Sequence, residues 1–390
     1  MTAYVFRRAT EVRAKEMLSV AERSTEAQHL PKSAAASQSP SSYALVRRAA
    51  DNAVFLDSAT TRYRGVPSAF LLIFIGGMAL LLWPILTTAN GFQELIQQGD
   101  YGWLVVDFVF LAFILAIEAA ALSVVVRILR IDLFGPKEVP LVFNRKTRKV
   151  YKFIQNMPAR DLSSLRNAFR YWLTAFQPWP MMLIEYEWDC LEAEYFERTT
   201  LLGNVVKTFH VLQFYVKETP DSDKVIGSFT IASPFMLGRE IAMDIWEFIR
   251  CYMEEGGPVM CPGDKPAPAH PRNLWQAANT VWVGWPLVVG AAIWAANRVA
   301  QAPDLYSIDF LPFVTALVSW PFTLAIVFNW LGHKWGADVT LPPELMAEAG
   351  EPMDIKRISD EANGIAVPDV PTEKKLPSRI GKMRKSGKHR

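Results

Sequence analysis

The sequence predicts a multi-pass α-helical membrane protein with four transmembrane helices in two hairpins and an inserted cytoplasmic α+β domain. Three observations lead to this class. Four segments are apolar over about 20 residues, the length that a helix needs to cross a bilayer. Lysine and arginine collect on one side of these segments. Between the two hairpins the chain alternates apolar and charged positions, as a folded domain does.

Changes in composition divide the chain into six regions. In order, these are a flexible cytoplasmic region (1–65), the first transmembrane hairpin (66–128), the cytoplasmic α+β domain (129–262), a proline-rich connector (263–273), the second transmembrane hairpin (274–331) and a basic, largely disordered cytoplasmic tail (332–390). The predicted spans within the hairpins are Val66–Leu86, Trp103–Val126, Leu274–Ala296 and Phe310–Leu331.

The charges beside the spans predict their orientation. Arginines precede the first span and follow the second, whereas the loop 87–102 contains neither lysine nor arginine. Because basic flanks resist translocation, both termini and the central domain are expected on the cytoplasmic side. The basic tail would add attraction to membrane lipid with anionic headgroups.

The second span contains two acids, Asp107 and Glu118. They are 11 residues apart and therefore project from nearly the same face of a helix. One interpretation is an intramembrane polar site on a proton or cation path. The other is that Asp107 lies at headgroup level and Glu118 contacts Asn279 or a backbone group, since acids in a span face protein or water.

The central domain has the clearest local patterns. Apolar runs at Val139–Phe143 and Val150–Ile154 flank a polar turn, which predicts a β-hairpin. Helical spacing over Leu162–Phe176 predicts a helix, and strand-like alternation then returns several times. A closing amphipathic helix is expected to pack one face on the sheet, as in a pleckstrin-like barrel. That face consists of Ile245, Phe248, Ile249 and Tyr252.

The sequence contains no phosphate-binding loop, dinucleotide fingerprint, zinc-protease motif or nucleophile elbow. Its five histidines are scattered singly, so we expect no metal, no cofactor and no catalytic site. Three widely separated cysteines are typical of a reducing compartment. Basic residues without interleaved aromatics argue against nucleic acid as a partner.

The stretches "LFGPKEVPLVFNRKTRKVY" and "IWEFIRCYMEEGGP" together resemble an uncharacterised family of proteobacterial inner-membrane proteins. The resemblance covers about residues 66–331. It implies a location in the bacterial inner membrane and a domain between membrane hairpins. Genes of that family often lie near type VI secretion genes, which implies a secreted toxin or a secretion component as partner.

Three functions stay open at this point, of which the third, a membrane enzyme, has no motif in its support. The first is a non-catalytic inner-membrane binding protein, an accessory or immunity protein linked to type VI secretion. Its domain would attract an acidic partner through the basic turn, defined as Arg145, Lys146, Arg148 and Lys149. The second is a small transporter or channel subunit that uses Asp107 and Glu118. The sequence does not indicate an oligomeric state.

Overall fold

The computed structural model describes residues 5–8, 27–57, 64–65, 67–69, 71, 101–155, 164–174, 181–202, 205–231, 238–281 and 310–365. In this part of the chain, eleven strands form two β-sheets. They are β1 (Val5–Arg8), β2 (Gln28–Leu30), β3 (Val46–Ala50), β4 (Ala53–Leu56), β5 (Leu141–Asn144), β6 (Lys149–Gln155), β7 (Met181–Glu187), β8 (Leu191–Leu202), β9 (Val205–Lys217), β10 (Val225–Thr230) and β11 (Pro352–Met353).

The sheets are mostly antiparallel meanders. The first has the strand order β1-β7-β6-β5-β4-β3-β11, in which β1 pairs in parallel with β7. The second has the order β10-β9-β8-β2. A short 3₁₀ turn, Trp188–Cys190, carries the chain from β7 in the first sheet to β8 in the second.

The predicted hairpin is confirmed as β5 and β6. Its turn is held by Asn144, whose side-chain oxygen accepts hydrogen bonds from the backbone N–H groups of Lys146 and Thr147. Arg148 then adopts a φ of 52°, in the left-handed region that closes such a turn. Local side-chain capping of this kind explains why the pattern was readable in the sequence.

The predicted closing helix is confirmed as α3. The helices of the described residues are α1 (Tyr101–Leu129), α2 (Leu165–Leu173), α3 (Arg239–Glu254), α4 (Leu274–Val281), α5 (Phe310–Trp335), α6 (Pro343–Ala349) and α7 (Ile355–Ala362), and a π-helical turn, Arg130–Phe134, extends α1. All four residues of the predicted packing face of α3 are buried in the main core. Stacked Trp188 and Trp246, with ring centroids 5.9 Å apart, join α3 to the sheet junction.

The predicted membrane class is wrong. Among the helices that the structure describes, not one has the length and apolar character needed to cross a bilayer. The physical reason is that apolar segments also pack against protein: Ala277 and Ala278 of α4 are buried together with Ile326 of α5. Polar Asn329 and His333 are buried in α5 as well. Most of the first predicted span and most of the third lie outside the described residues.

Strands from both ends of the chain complete the sheets, which differs from the predicted flexible region and disordered tail. Strands β2, β3 and β4 lie within 28–56, and β11 pairs with β3. These strands have two to five residues each, too few to show a strand period. The residues 129–262 are therefore only part of the folded unit, since β5 pairs with β4 on its other side.

Candidate protein-binding surface

Exposed large apolar side chains are concentrated on the helices. Of the seventeen among the described residues, fourteen lie on α1, the π-helical turn, α2, α4 and α5. We call these fourteen the apolar helical surface: Val105, Val106, Val109, Phe113, Ile117, Leu122, Val124, Ile131, Phe134, Phe169, Leu173, Leu274, Trp275 and Trp335. The elements that carry them contact one another in a continuous series. Grouped exposure of this kind marks an interaction site.

Helix α1 contributes a stripe to this surface. Val106, Val109, Phe113 and Ile117 follow one another at spacings of three and four residues, which places them on one side of the helix. Phe113 is 61% exposed, although a phenylalanine is among the residues most often buried. The stripe therefore presents apolar side chains that the described part of the chain does not cover.

Helix α2 is fixed beside α1 by one arginine. The Arg127 guanidinium lies 3.6 Å from the Tyr171 ring centroid and donates hydrogen bonds to the Tyr171 carbonyl and to Thr174 Oγ1. At the other end of α2, Ser164 Oγ accepts a hydrogen bond from the N–H of Asn167 and caps the helix. The helix predicted over Leu162–Phe176 is thus confirmed from Leu165 to Leu173, in a position that adds its exposed side chains to the surface, and the ends of the predicted range lie outside the described residues.

The π-helical turn at the end of α1 is held by Arg64. The buried Arg64 guanidinium donates to the carbonyl oxygens of Asp132 (2.5 Å), Gly135 (2.6 Å), Pro136 (3.0 Å) and Ile131 (3.3 Å). Burial lowers the pKa of Arg64 to about 10. The Asp132 carboxylate accepts from Ser68, through both its backbone N–H and its hydroxyl. Last-turn carbonyls that a helix leaves unpaired are satisfied here by one side chain.

Helix α5 approaches this turn closely. A Cβ atom added at Gly332 would lie 2.3 Å from the Asp132 carbonyl oxygen, so glycine is required there. Beyond the contact, the rings of Phe134 and Trp335 stack with centroids 6.1 Å apart, and both remain at least half exposed. The apolar helical surface therefore continues from α1 onto α5.

Basic side chains border the surface. Arg166 and Arg170 are exposed on α2, a helix without any acid. Arg272 precedes α4 and Lys334 lies next to Trp335, both exposed. An apolar centre with a basic border is complementary to an apolar partner surface flanked by carboxylates.

The basic turn predicted to bind a partner mostly makes contacts within the chain. Arg148 bridges Asp189 (2.6 Å) and Glu254 (3.1 Å), which raises the pKa of the guanidinium. Lys149 pairs with Glu185 at 2.9 Å. Arg145 lies over the Tyr252 ring at 5.2 Å and donates to the Asp51 carbonyl. Lys146 is exposed.

Two of the three residues of the predicted intramembrane polar site have side chains that the structure does not describe. Asp107 and Glu118 fall within α1, but their side chains lie outside the described part of the chain. Asn279 is an exposed residue of α4. The prediction that these residues lie within a membrane depended on the predicted membrane class, which is wrong.

Sequence reasoning missed a charged cleft that brings together distant residues. His270 Nε2 of the proline-rich connector donates to Glu138 Oε1 at 3.0 Å, and the centroid of its ring lies 4.8 Å from that of His333. Burial lowers the pKa of His333 to about 4, and the nearby His270, Arg64 and Arg47 act in the same direction. Arg47 pairs with Asp57 at 2.6 Å beside them. No short motif links these positions, so no local signal could have revealed the cleft.

The cleft is too small for an organic ligand. The connector is fixed to β3 by a hydrogen bond from the Ala267 N–H to the Val46 carbonyl, 2.7 Å long. The remaining space beside Arg47 and His270 is about 10 Å³, roughly the room of one water molecule. Ligand pockets for small molecules measure about 300–1,000 Å³. We therefore place the candidate site on the apolar helical surface.

Comparison with known proteins identifies one family. A family model described as "Family of unknown function (DUF6708)" matches residues 118–340. That segment begins within α1, contains β5 to β10, extends just beyond α5 and includes more than half of the chain. No curated protein and no solved structure is significantly similar. The chain belongs to the DUF6708 family.

Proposed function

We propose that the protein is a non-catalytic binding protein whose apolar helical surface receives an α-helical segment of another protein. The observation that carries this proposal is the segregation of exposed apolar side chains: of the seventeen among the described residues, fourteen lie on one set of contacting helices. Single apolar residues scattered over a surface need no explanation, whereas a large group of them on contacting helices favours an interaction site.

The spacing of the stripe supports a helical partner. Apolar residues at intervals of three and four form the ridge that packs into the groove of a second helix. From Val105 to Val124 the exposed residues extend over about 30 Å, at 1.5 Å per residue. That length accommodates a partner helix of about five turns, enough to approach the roughly 800 Å² per partner that a stable interface buries.

The basic side chains that border the apolar helical surface favour a partner with acidic side chains. Arg166 and Arg170 lie beside the exposed Phe169 and Leu173 of α2. Carboxylates on the partner helix would pair with these guanidinium groups at the rim, where such pairs mainly set specificity and association rate. The apolar centre would supply most of the affinity.

The family resemblance suggests what the partner is. On that basis the protein is an accessory or immunity protein, and the partner is a secreted toxin or a component of type VI secretion. Cys190, Cys251 and Cys261 are all free thiols, which supports action in a reducing compartment such as the bacterial cytoplasm.

The test is binding with matched variants. The full chain would be co-expressed with its gene neighbours, any protein that co-purifies would be identified and purified, and its affinity measured by calorimetry. Phe113→Glu should weaken binding at least about tenfold, because a charge would be buried in the interface. Ile365→Glu is the control, since Ile365 is 57% exposed but lies outside the surface.

Two outcomes would contradict the proposal. One is equal affinity for wild type, Phe113→Glu and Ile365→Glu, with all three folded by circular dichroism. The other is that the purified chain binds vesicles of anionic phospholipid through Phe113 and retains no protein partner. The transporter or channel function left open by the sequence is not proposed, because it requires the membrane spans that the structure contradicts.

A further inference from the structure

Three potential metal ligands meet where β2 pairs with β8. His29 lies directly opposite Glu194 in the antiparallel register. Glu192 is two residues before Glu194, so both carboxylates project from the same face of the strand. The imidazole and carboxylate ligand atoms all lie within 4.8 Å of one another. These residues are distinct from the apolar helical surface and have no role in the proposed function.

We infer that His29, Glu192 and Glu194 bind one divalent transition-metal ion, for which Zn²⁺ is the suitable probe. Zinc takes histidine nitrogen at about 2.0–2.1 Å and carboxylate oxygen at about 2.0–2.2 Å. Three protein ligands leave a fourth position for water or for a group from a ligand. Ligand atoms around one tetrahedral zinc ion lie about 3.3–3.6 Å from one another. Side-chain rotations would have to bring the three ligand atoms, now within 4.8 Å of one another, to that spacing.

The two carboxylates differ in their surroundings. Glu194 is only 5% exposed, whereas His29 is exposed and gives solvent access to the cluster. A carboxylate in a poorly hydrated position interacts more strongly with a nearby cation than an exposed one does. An ion entering past His29 would thus be held most firmly by Glu194.

Lys217 determines in which direction a substitution beside the cluster should change the affinity for metal. Its Nζ lies 2.6 Å from Glu192 Oε1, with its side chain only 13% exposed. In the arrangement observed, the ammonium group compensates part of the negative charge that the metal would otherwise take. Metal binding therefore competes with this ion pair, and removing the ammonium group should increase the affinity for the metal ion. A purely structural cluster has no such dependence.

The experiment is calorimetric titration of the purified full chain with ZnCl₂ in a non-coordinating buffer, accompanied by thermal unfolding. We expect saturable binding of one ion and a raised Tm, both reversed by a chelator. His29→Gln and Glu194→Gln should each weaken binding at least about tenfold, in line with the usual cost of disturbing a metal site. Lys217→Met should strengthen it.

His210→Gln is the matched control. His210 lies on the neighbouring strand β9, next to Glu197 and in hydrogen-bond contact with Tyr195, but apart from the cluster. The His210→Gln variant should bind zinc as the wild type does. Titration with CaCl₂ should give no comparable heat, because calcium prefers six to eight oxygen ligands. Absence of saturable zinc binding, equal binding by folded His29→Gln, or weaker binding by Lys217→Met would each overturn the inference.

Discussion

Arg64 Nε donates to the main-chain oxygen of Asp132 over 2.5 Å, a contact between residues 68 positions apart. The Asp132 carboxylate in turn accepts from the Ser68 hydroxyl at 2.6 Å. The Arg64 guanidinium thereby satisfies backbone carbonyls of the π-helical turn that extends α1, and the Asp132 carboxylate ties this turn to Ser68. Both residues are buried, so water does not compete for the hydrogen bonds at the junction that supports the apolar helical surface.

Arg64→Met should destabilise the fold by at least about 3 kcal/mol, because it leaves several buried carbonyl oxygens without a donor. Urea unfolding followed by circular dichroism measures the change. Arg166→Met is the control, since this exposed arginine should change stability by no more than about 0.5 kcal/mol. Equal stability of the two variants would contradict the role assigned to Arg64.

Phe248→Ala should cost about 3–5 kcal/mol, through lost apolar burial and the cavity that remains. Phe248 is 1% exposed and packs in the main core between α3 and the sheets. Glu240→Ala on the exposed first turn of the same helix is the control and should be nearly neutral. If the phenylalanine variant is as stable as this control, α3 does not pack as described.

Arg148→Met should lower stability by no more than about 1 kcal/mol, since its two ion pairs are partly exposed and screened. The difference from wild type should shrink further in 1 M NaCl, where charges are screened over about 3 Å. Because Arg148 is engaged within the chain, we also expect unchanged partner affinity. A tenfold loss of affinity in Arg148→Met would instead restore the basic turn as the binding site.

Stability should fall as the pH is lowered from about 6.5 to about 4, because of His333. The pKa of this imidazole is 6.5 in the unfolded chain and about 4 in the fold, so protons bind first to the unfolded state. The stabilisation is complete above pH 6.5 and lost as the pH falls through the window, by about 3 kcal/mol in total. His333→Gln should flatten the dependence measured by urea unfolding. A variant with the same slope as wild type would contradict it.

Sequence reasoning succeeded where neighbours in the chain determine the structure. The β5–β6 hairpin has its own turn chemistry, and α3 has a complete apolar face, so both were predictable. The cleft around His270 depends on contact between the connector and α5, and the cluster around His29 on the register of β2 against β8; in both cases the residues are far apart in the chain. A single sequence contains no measure of such pairing, and the same holds for the short β3 and β11.

The membrane class failed for a different reason. Hydropathy measures how apolar a segment is but not what its side chains pack against. Ala277 and Ile326 therefore counted toward membrane spans, although they are buried in one cluster between α4 and α5. Exposure is likewise a property of the fold. The apolar helical surface became recognisable only when the buried residues of α1, α2 and α5 could be separated from the exposed ones.

The pairing of β3 with β11 can form only late in synthesis, because the two strands are far apart in the chain. Ala50 forms its partner contact with Pro352, so the first strand of this pair leaves the ribosome long before the second. At about 5–20 residues per second the interval is roughly 15–60 s. During that time one side of β3 is an open edge that can pair with other chains. The nascent chain therefore needs protection during synthesis, most of all when it is overproduced.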